Sequence, residues 1–180
     1  MEDFIHQEYF DLISEPEAKF ILDHGEKQLK DILDTSLLIV NRSTTLLTLT
    51  VGLIVGLIGF SINRYEVQHQ YDELLFITAW GSVYYFIVAL VVVMNFIPKS
   101  YLTLGAEPRD FFVDRVFNKR NADYRLTAIY VNEIQQTQVK INYNKKVNDR
   151  RWKIFNFSLF MIALSPLALG GLYWLSTYLF

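Results

Sequence analysis

The sequence predicts an all-α integral membrane protein with three transmembrane helices, joined to amphipathic helices on the cytoplasmic side. Residues 43–63, 74–98 and 154–180 contain no Asp, Glu, Lys or Arg at all. Each stretch exceeds the roughly 18 apolar residues that separate a spanning helix from a buried core helix. In hydrocarbon every peptide group has to be satisfied within its own segment, so these stretches are expected to be helices. A helix buried in a soluble bundle normally keeps a polar stripe, and residues 74–97 show none.

The chain then reads as four parts: a cytoplasmic N-terminal part (1–42), a transmembrane hairpin (43–98, with spans at about 43–63 and 74–97), a cytoplasmic basic helical section (99–153) and a third transmembrane helix (154–180). The first part is acidic and lacks the basic start of a signal peptide. Residues 4–13 are rich in aromatics and are expected as a short helix at the membrane surface or against a neighbour. Ser14, Glu15, Pro16 and Glu17 then have the form of a capping box, with Ser14 as N-cap and Glu17 at the third helical position. Beyond it Ala18, Ile21, Gly25, Leu29, Ile32 and Ser36 recur at threes and fours, one face of an amphipathic helix. No breaker intervenes before Ser43, so this helix is expected to run unbroken into the first span.

In the first span Thr44, Thr48, Gly52 and Gly56 fall four apart on one face. Gly52 and Gly56 form a small-xxx-small pair, which lets two backbones approach closely where no hydrophobic force drives helices together. That contact serves either packing inside one protomer or packing between protomers. A short polar link from Arg64 leads to the second span, which ends at Asn95 to Pro98, where proline stops the helix. Trp80, Tyr84 and Tyr85 are expected near a membrane interface. Gly105, Pro108, Phe111 and Phe112 suggest a loop folding back on the bilayer or on the N-terminal helix. From about Asp123 a helical pattern resumes with Leu126, Ile129, Tyr130, Ile134 and Ile141, and its other face is amide-rich, including Gln135, Gln136, Gln138, Asn142, Asn144 and Asn148. This helix is expected to continue past Arg150, Arg151, Trp152 and Lys153 into the third span, with a kink at Pro166 and a close contact at Gly170 and Gly171.

Charge sets the orientation. Twelve of the seventeen Lys and Arg lie in residues 99–153, four precede Ser43, and one, Arg64, is in the link. The positive-inside rule therefore places the N-terminus and the long section in the cytoplasm, and the link and C-terminus outside. The N-terminal part has ten acids against four bases, a net of −6, and the long section six against twelve, a net of +6, so the two can pair within or between protomers.

Chemistry is sparse. The chain has no cysteine, no glycine-rich phosphate loop, and no partner at ligand spacing for His6 or His24, so no metal and no cofactor is expected. No acid or base lies deep in a span, which weighs against a transporter with a proton relay or charged substrate path. Arg64 and His69, five positions apart, resemble the motif of HEPN ribonucleases; on this topology they lie outside the cytoplasm, and no enzyme activity is expected. What remains is a small chain with close-packing faces. One copy is too small to enclose an aqueous pore, whereas a closed ring of copies can. Candidate pore-lining groups are Asn41, Arg42, Thr44, Thr45 and Thr48 at the first span, and Gln135, Gln138, Asn142 and Asn148 on the later helix.

In plan the chain resembles small prokaryotic antiphage transmembrane effectors. The resemblance lies in an amphipathic helix entering a first span (31–62), a hairpin to a second, and a basic helical section feeding a last span (143–174). It is most similar to the accessory membrane-pore protein of type VI-B, RNA-targeting CRISPR systems, and next to the transmembrane effector of Pycsar defence. The first resemblance implies a ring-shaped homo-oligomer in the bacterial inner membrane that depolarises it, acting with an RNA-guided nuclease or its RNA product. It also implies a degenerate HEPN-like motif, either Arg64 with His69 or Arg151 with Asn156. The second implies gating by a cyclic nucleotide, for which Arg109, Arg115, Lys119 and Arg120 form the candidate basic surface. A different class also fits the composition: a membrane tether that holds a cytoplasmic partner through the acidic N-terminal helix.

Overall fold

The computed structural model describes residues 12–68, 72–97, 100–105 and 123–179. The aromatic stretch before Leu12, His69, Pro108, Phe111, Phe112 and the basic residues from Arg109 to Arg120 lie outside the described residues. The described chain is all-helical, built from α1 (Glu15–Gln68), α2 (Glu73–Val93) and α3 (Asp123–Leu179). Three helices are long and apolar enough to cross a membrane, so this is a membrane protein.

α1 starts where its capping residues place it. Ser14 donates its backbone N–H (2.9 Å) and its hydroxyl (2.6 Å) to the same oxygen of Glu17. Those two bonds hold the Glu17 carboxyl below its usual range. The helix then runs 54 residues without a break, through the amphipathic face and into the first apolar segment. α3 does the same over 57 residues and passes through Pro166. α2 is N-capped by Asp72, whose carboxylate accepts the Leu75 N–H at 2.9 Å, and it ends in a 3₁₀ turn over Met94–Phe96. The 21 charge-free residues of α1 measure about 31 Å, close to the ~30 Å hydrocarbon thickness.

Two compact units are formed: Met1–Ser36 with Lys99–Asn148, and Leu37–Pro98 with Asp149–Phe180. In the first, α1 and α3 run parallel: Gly25 faces Thr137, where an added Cβ would meet the threonine methyl at 3.2 Å, and Asn148 bonds the Ile32 carbonyl. Ile21 does not share this face. It is 42 % exposed, as is much of Leu126, while Ala18, Leu29, Val131 and Ile141 are buried.

In the second unit the three helices form a bundle with α2 antiparallel to both others. Ser61 bonds Thr78 at 2.7 Å near one end, and Asn95 bonds Ser43 at 3.2 Å near the other. Tyr84 donates its hydroxyl to the Met161 carbonyl. Tyr84 and Tyr85 therefore turn into the bundle, with Tyr85 only 7 % exposed, whereas Trp80 points outward. The close contact expected at Gly170 and Gly171 is not made among the described residues, since nothing there lies within 4 Å of a Cβ built on either. Gly81 makes one instead: a Cβ there would stand 3.0 Å from Leu169 and 3.6 Å from Leu57.

Polar residues recur on the inner faces among the buried apolar ones. Along α3, Thr137, Asn144, Arg151, Ser158 and Ser165 recur every seven residues and are all buried, as are Ser36, Ser43 and Thr50 on α1. The Thr50 and Ser158 hydroxyls donate to carbonyls four residues back, so burying them strands no donor. The serines and threonines among them let helices approach closely, and many large apolar residues face outward.

Candidate functional site

The face of α1 predicted to pack or line a pore is open. Asn41, Arg42, Thr44, Thr45, Thr48, Gly52 and Gly56 are all exposed, and nothing lies within 4 Å of a Cβ built on Gly52 or Gly56. Only 6 % of the apolar window of α1 is buried, against 39 % for α2. α2 is thus the packed centre of its bundle, and α1 carries the surface left for lipid or for another copy.

The hydroxyls on that face have a fixed polarity. Thr44, Thr45 and Thr48 donate to the carbonyls of Val40 (3.0 Å), Asn41 (3.2 Å) and Thr44 (3.0 Å). With each proton held by the helix backbone, the oxygen lone pairs are what the face presents. Arg42 does not reach along it. Its guanidinium lies over the Trp152 ring of its own protomer, 5.8 Å from the centroid.

The candidates on the other unit divide. Asn142 is exposed and accepts a 3.0 Å bond from Gln138 along α3. Gln135 is half-buried, and its Nε2 has no hydrogen-bond partner among the described residues. Asn148 is buried and engaged inside the protomer: its oxygen accepts from the Tyr101 hydroxyl at 2.9 Å and its amide donates to the Ile32 carbonyl at 2.7 Å. Asn144 beside it pairs with both backbone groups of Leu102, at 3.1 and 2.8 Å. The two asparagines clasp the extended segment that follows the second span, and the Lys140 ammonium adds a bond to the Gly105 carbonyl. Gly105 turns the chain there with φ +83°, a region that favours glycine.

The clasp makes a direct prediction. Asn144→Ala removes two hydrogen bonds and should cost about 2 kcal/mol locally. Hydrogen exchange at the Leu102 amide should then rise at least about tenfold, with the exchange of the α2 amides unchanged. Unaltered protection at Leu102 would mean that something other than Asn144 holds the segment.

Of the nuclease-like pairs, Arg64 is described while His69 lies outside the described residues. Arg64 grips Asp72 through Nε (2.9 Å) and Nη2 (2.7 Å), closing the hairpin between α1 and α2. Arg151 is buried while Asn156 is exposed, as five positions on a helix, a rotation of about 140° between them, require. Among the described residues no three His, Asp or Glu side chains gather where a metal ion would sit.

No family model, curated protein or solved structure matches this chain.

Asp72 is the polar residue at this hairpin that sequence reading missed. It caps α2 and pairs with Arg64, and the Leu75 N–H, followed by the Arg64 guanidinium, holds its carboxyl below the usual range. A depressed folded-state pKa gives stability that is fully present above the unfolded value, about 3.9, and lost as pH falls through the folded one. Asp72→Asn keeps the capping oxygen and loses the ion pair; Asp72→Ala loses both. Thermal melts at pH 7 should therefore rank wild type above Asn above Ala, and the wild-type advantage over Asn should begin to shrink below about pH 4 and vanish once the pH has fallen through the lowered folded-state value. Equal melting temperatures for the Asn and Ala variants would remove the cap from this account.

Proposed function

We propose that the protein is an antiphage defence effector of the bacterial inner membrane, whose copies assemble through α1 into a ring that depolarises the membrane. The observation that carries this reading is the open small-residue face of α1, where a Cβ on Gly52 or Gly56 meets nothing among the described residues. Only a small-residue face left open in this way allows a second helix to approach at backbone distance. In such a ring the outward lone pairs of Thr44, Thr45 and Thr48 supply hydrogen-bonding groups of the kind pores use. The cation distribution puts the N-terminus and residues 99–153 in the cytoplasm, where an RNA-guided nuclease, its RNA product or a cyclic nucleotide would act as trigger.

The test is membrane potential, read with a voltage-sensitive dye in cells expressing the protein alone and with candidate CRISPR or cyclase partners. Depolarisation that requires an activated partner supports a gated effector. An unchanged potential in every combination, with the protein present in the membrane, rejects the pore.

A second reading is favoured by a separate observation. At the start of α1, Leu12 (78 %), Phe20 (72 %) and Ile21 are exposed side by side with Glu15 and Glu17. An apolar patch with an acidic rim suits a cytoplasmic protein partner, which makes the chain a membrane tether. A tether retains partner recruitment when the Gly52 and Gly56 face is blocked; a pore loses its activity.

A further inference from the structure

We infer that Arg42, Trp152 and Lys153 form a binding site for the phosphodiester headgroup of an anionic phospholipid, at the membrane border where α1 and α3 enter the bilayer. The charge-free segments of these two helices begin one residue after Arg42 and one residue after Lys153. When those segments span, both cations stand at headgroup depth, with Arg150 one turn behind. All three are exposed, and none has a carboxylate within ion-pair distance among the described residues, where the ion pair is Arg64 with Asp72. Uncompensated cations at that depth attract anionic lipid.

Geometry makes this more than a band of charge. Arg42 comes from α1 and Trp152 from α3, and the guanidinium lies over the indole at 5.8 Å. A guanidinium held over an aromatic face keeps its edge N–H groups free, and that fork matches two phosphate oxygens. Lys153, next in sequence to Trp152, adds a point charge. Further into the apolar segments Leu49 on α1 and Phe160 on α3 are 53 % and 58 % exposed. A headgroup bound above them brings acyl chains into contact with both side chains, which a free phosphate ion cannot do. The site belongs to a single protomer and does not depend on ring assembly.

Native mass spectrometry of the full chain, released from detergent with equimolar phosphatidylglycerol and phosphatidylcholine, tests the assignment. The wild type should retain phosphatidylglycerol preferentially. Arg42→Gln and Lys153→Gln should each weaken that retention about fivefold, and together about 25-fold, on the basis of the contribution of one cation near an anionic surface. Arg42→Lys should fall between wild type and Arg42→Gln, because it keeps the charge and loses the planar fork. All these positions are exposed, and unchanged circular dichroism checks that the variants stay folded. Equal retention of the two lipids, or wild-type retention by the double variant, would overturn the site. Displacement of the lipid by millimolar inorganic phosphate would overturn it as a lipid site and leave a free-anion site.

Discussion

Replacing both Gly52 and Gly56 with Leu should abolish assembly and depolarisation while leaving the protomer folded. Among the described residues nothing beyond the local helix backbone lies within 4 Å of a Cβ built on either glycine, and their face is exposed, so two leucines there should be accommodated by the protomer. Removing two glycines from a helix interior also favours the helix, by up to about 1 kcal/mol each. The melting temperature of the detergent-solubilised protomer should therefore hold or rise. The interface responds in the opposite sense. A close helix–helix contact built on small residues has no space for two leucines, and overpacking typically costs about 1–3 kcal/mol. That is roughly tenfold to a hundredfold in association for each contact, and a ring multiplies the loss over every interface. Cross-linking in membranes and the voltage-dye signal should fall together to background. Full depolarisation by a variant with a normal melting temperature would show that the glycine face packs against lipid only. Lost depolarisation with intact cross-linking would place the glycines in conduction and not in assembly.

That pair of opposite responses rests on a feature the sequence shows only partly. The spans themselves were legible, because long charge-free runs have one stable form in hydrocarbon. So was the continuity of α1 and α3, since no breaker stands between Ser14 and the first span or between Asp123 and the third. Which face of each helix looks inward was not legible from hydropathy. In water apolar residues mark the core, and the Ala18 and Leu29 face follows that rule. Ile21 breaks it, being displaced from the seam by the heptad spacing of Gly25, Leu29 and Ser36. Inside the bilayer the rule loses its force: Val55 and Leu167 are 64 % and 73 % exposed while Ser43, Thr50 and Ser158 are fully buried. Lipid satisfies a leucine as well as a core does, so the discriminating signal is small size at a period of seven. Ser43 with Thr50 and Ser158 with Ser165, each pair seven apart and buried, carry that signal.

The candidate site was legible to a similar degree. The Thr and Gly face of α1 follows from spacing alone, but its openness depends on where α2 and α3 lie. Asn148 was grouped with the amides available to a lumen because composition cannot tell an amide facing water from one bonded to backbone. Its bonds to Tyr101 and to the Ile32 carbonyl span 47 and 116 positions in sequence, beyond any local pattern. Arg64 is a similar case at shorter range. It holds Asp72, eight positions on, while His69 lies outside the described residues. The opposite charge that Arg64 holds is also the cap of the next helix.

The same leucine placed at Gly81 should do the reverse of what it does at Gly52. Gly81 lies midway along α2, where a Cβ would stand 3.0 Å from the Leu169 side chain and 3.6 Å from Leu57. Alanine there requires Leu169 to yield by a few tenths of an ångström, which a flexible side chain can do. Leucine requires α2 to move away from both α1 and α3. The Tyr84 hydroxyl bond to the Met161 carbonyl, three residues along α2, then loses its geometry, as do the Ser61–Thr78 bond and the packing of Tyr85. Overpacking at about 1–3 kcal/mol plus one or two hydrogen bonds at about 1 kcal/mol each gives a loss of roughly 2–5 kcal/mol. For a chain of 180 residues that is a fall in melting temperature of about 5–15 °C. Gly81→Ala should lose no more than a few degrees. Depolarisation should fail in Gly81→Leu through loss of the protomer, and it should be restored in part by Leu169→Ala, which opens the space the new side chain needs. That rescue separates the two glycine classes: Leu169→Ala should not restore assembly to the Gly52 and Gly56 double variant, because the clash there is with another copy and not with Leu169. A Gly81→Leu protein that melts like the wild type would mean that α2 does not pack against Leu57 and Leu169 as described.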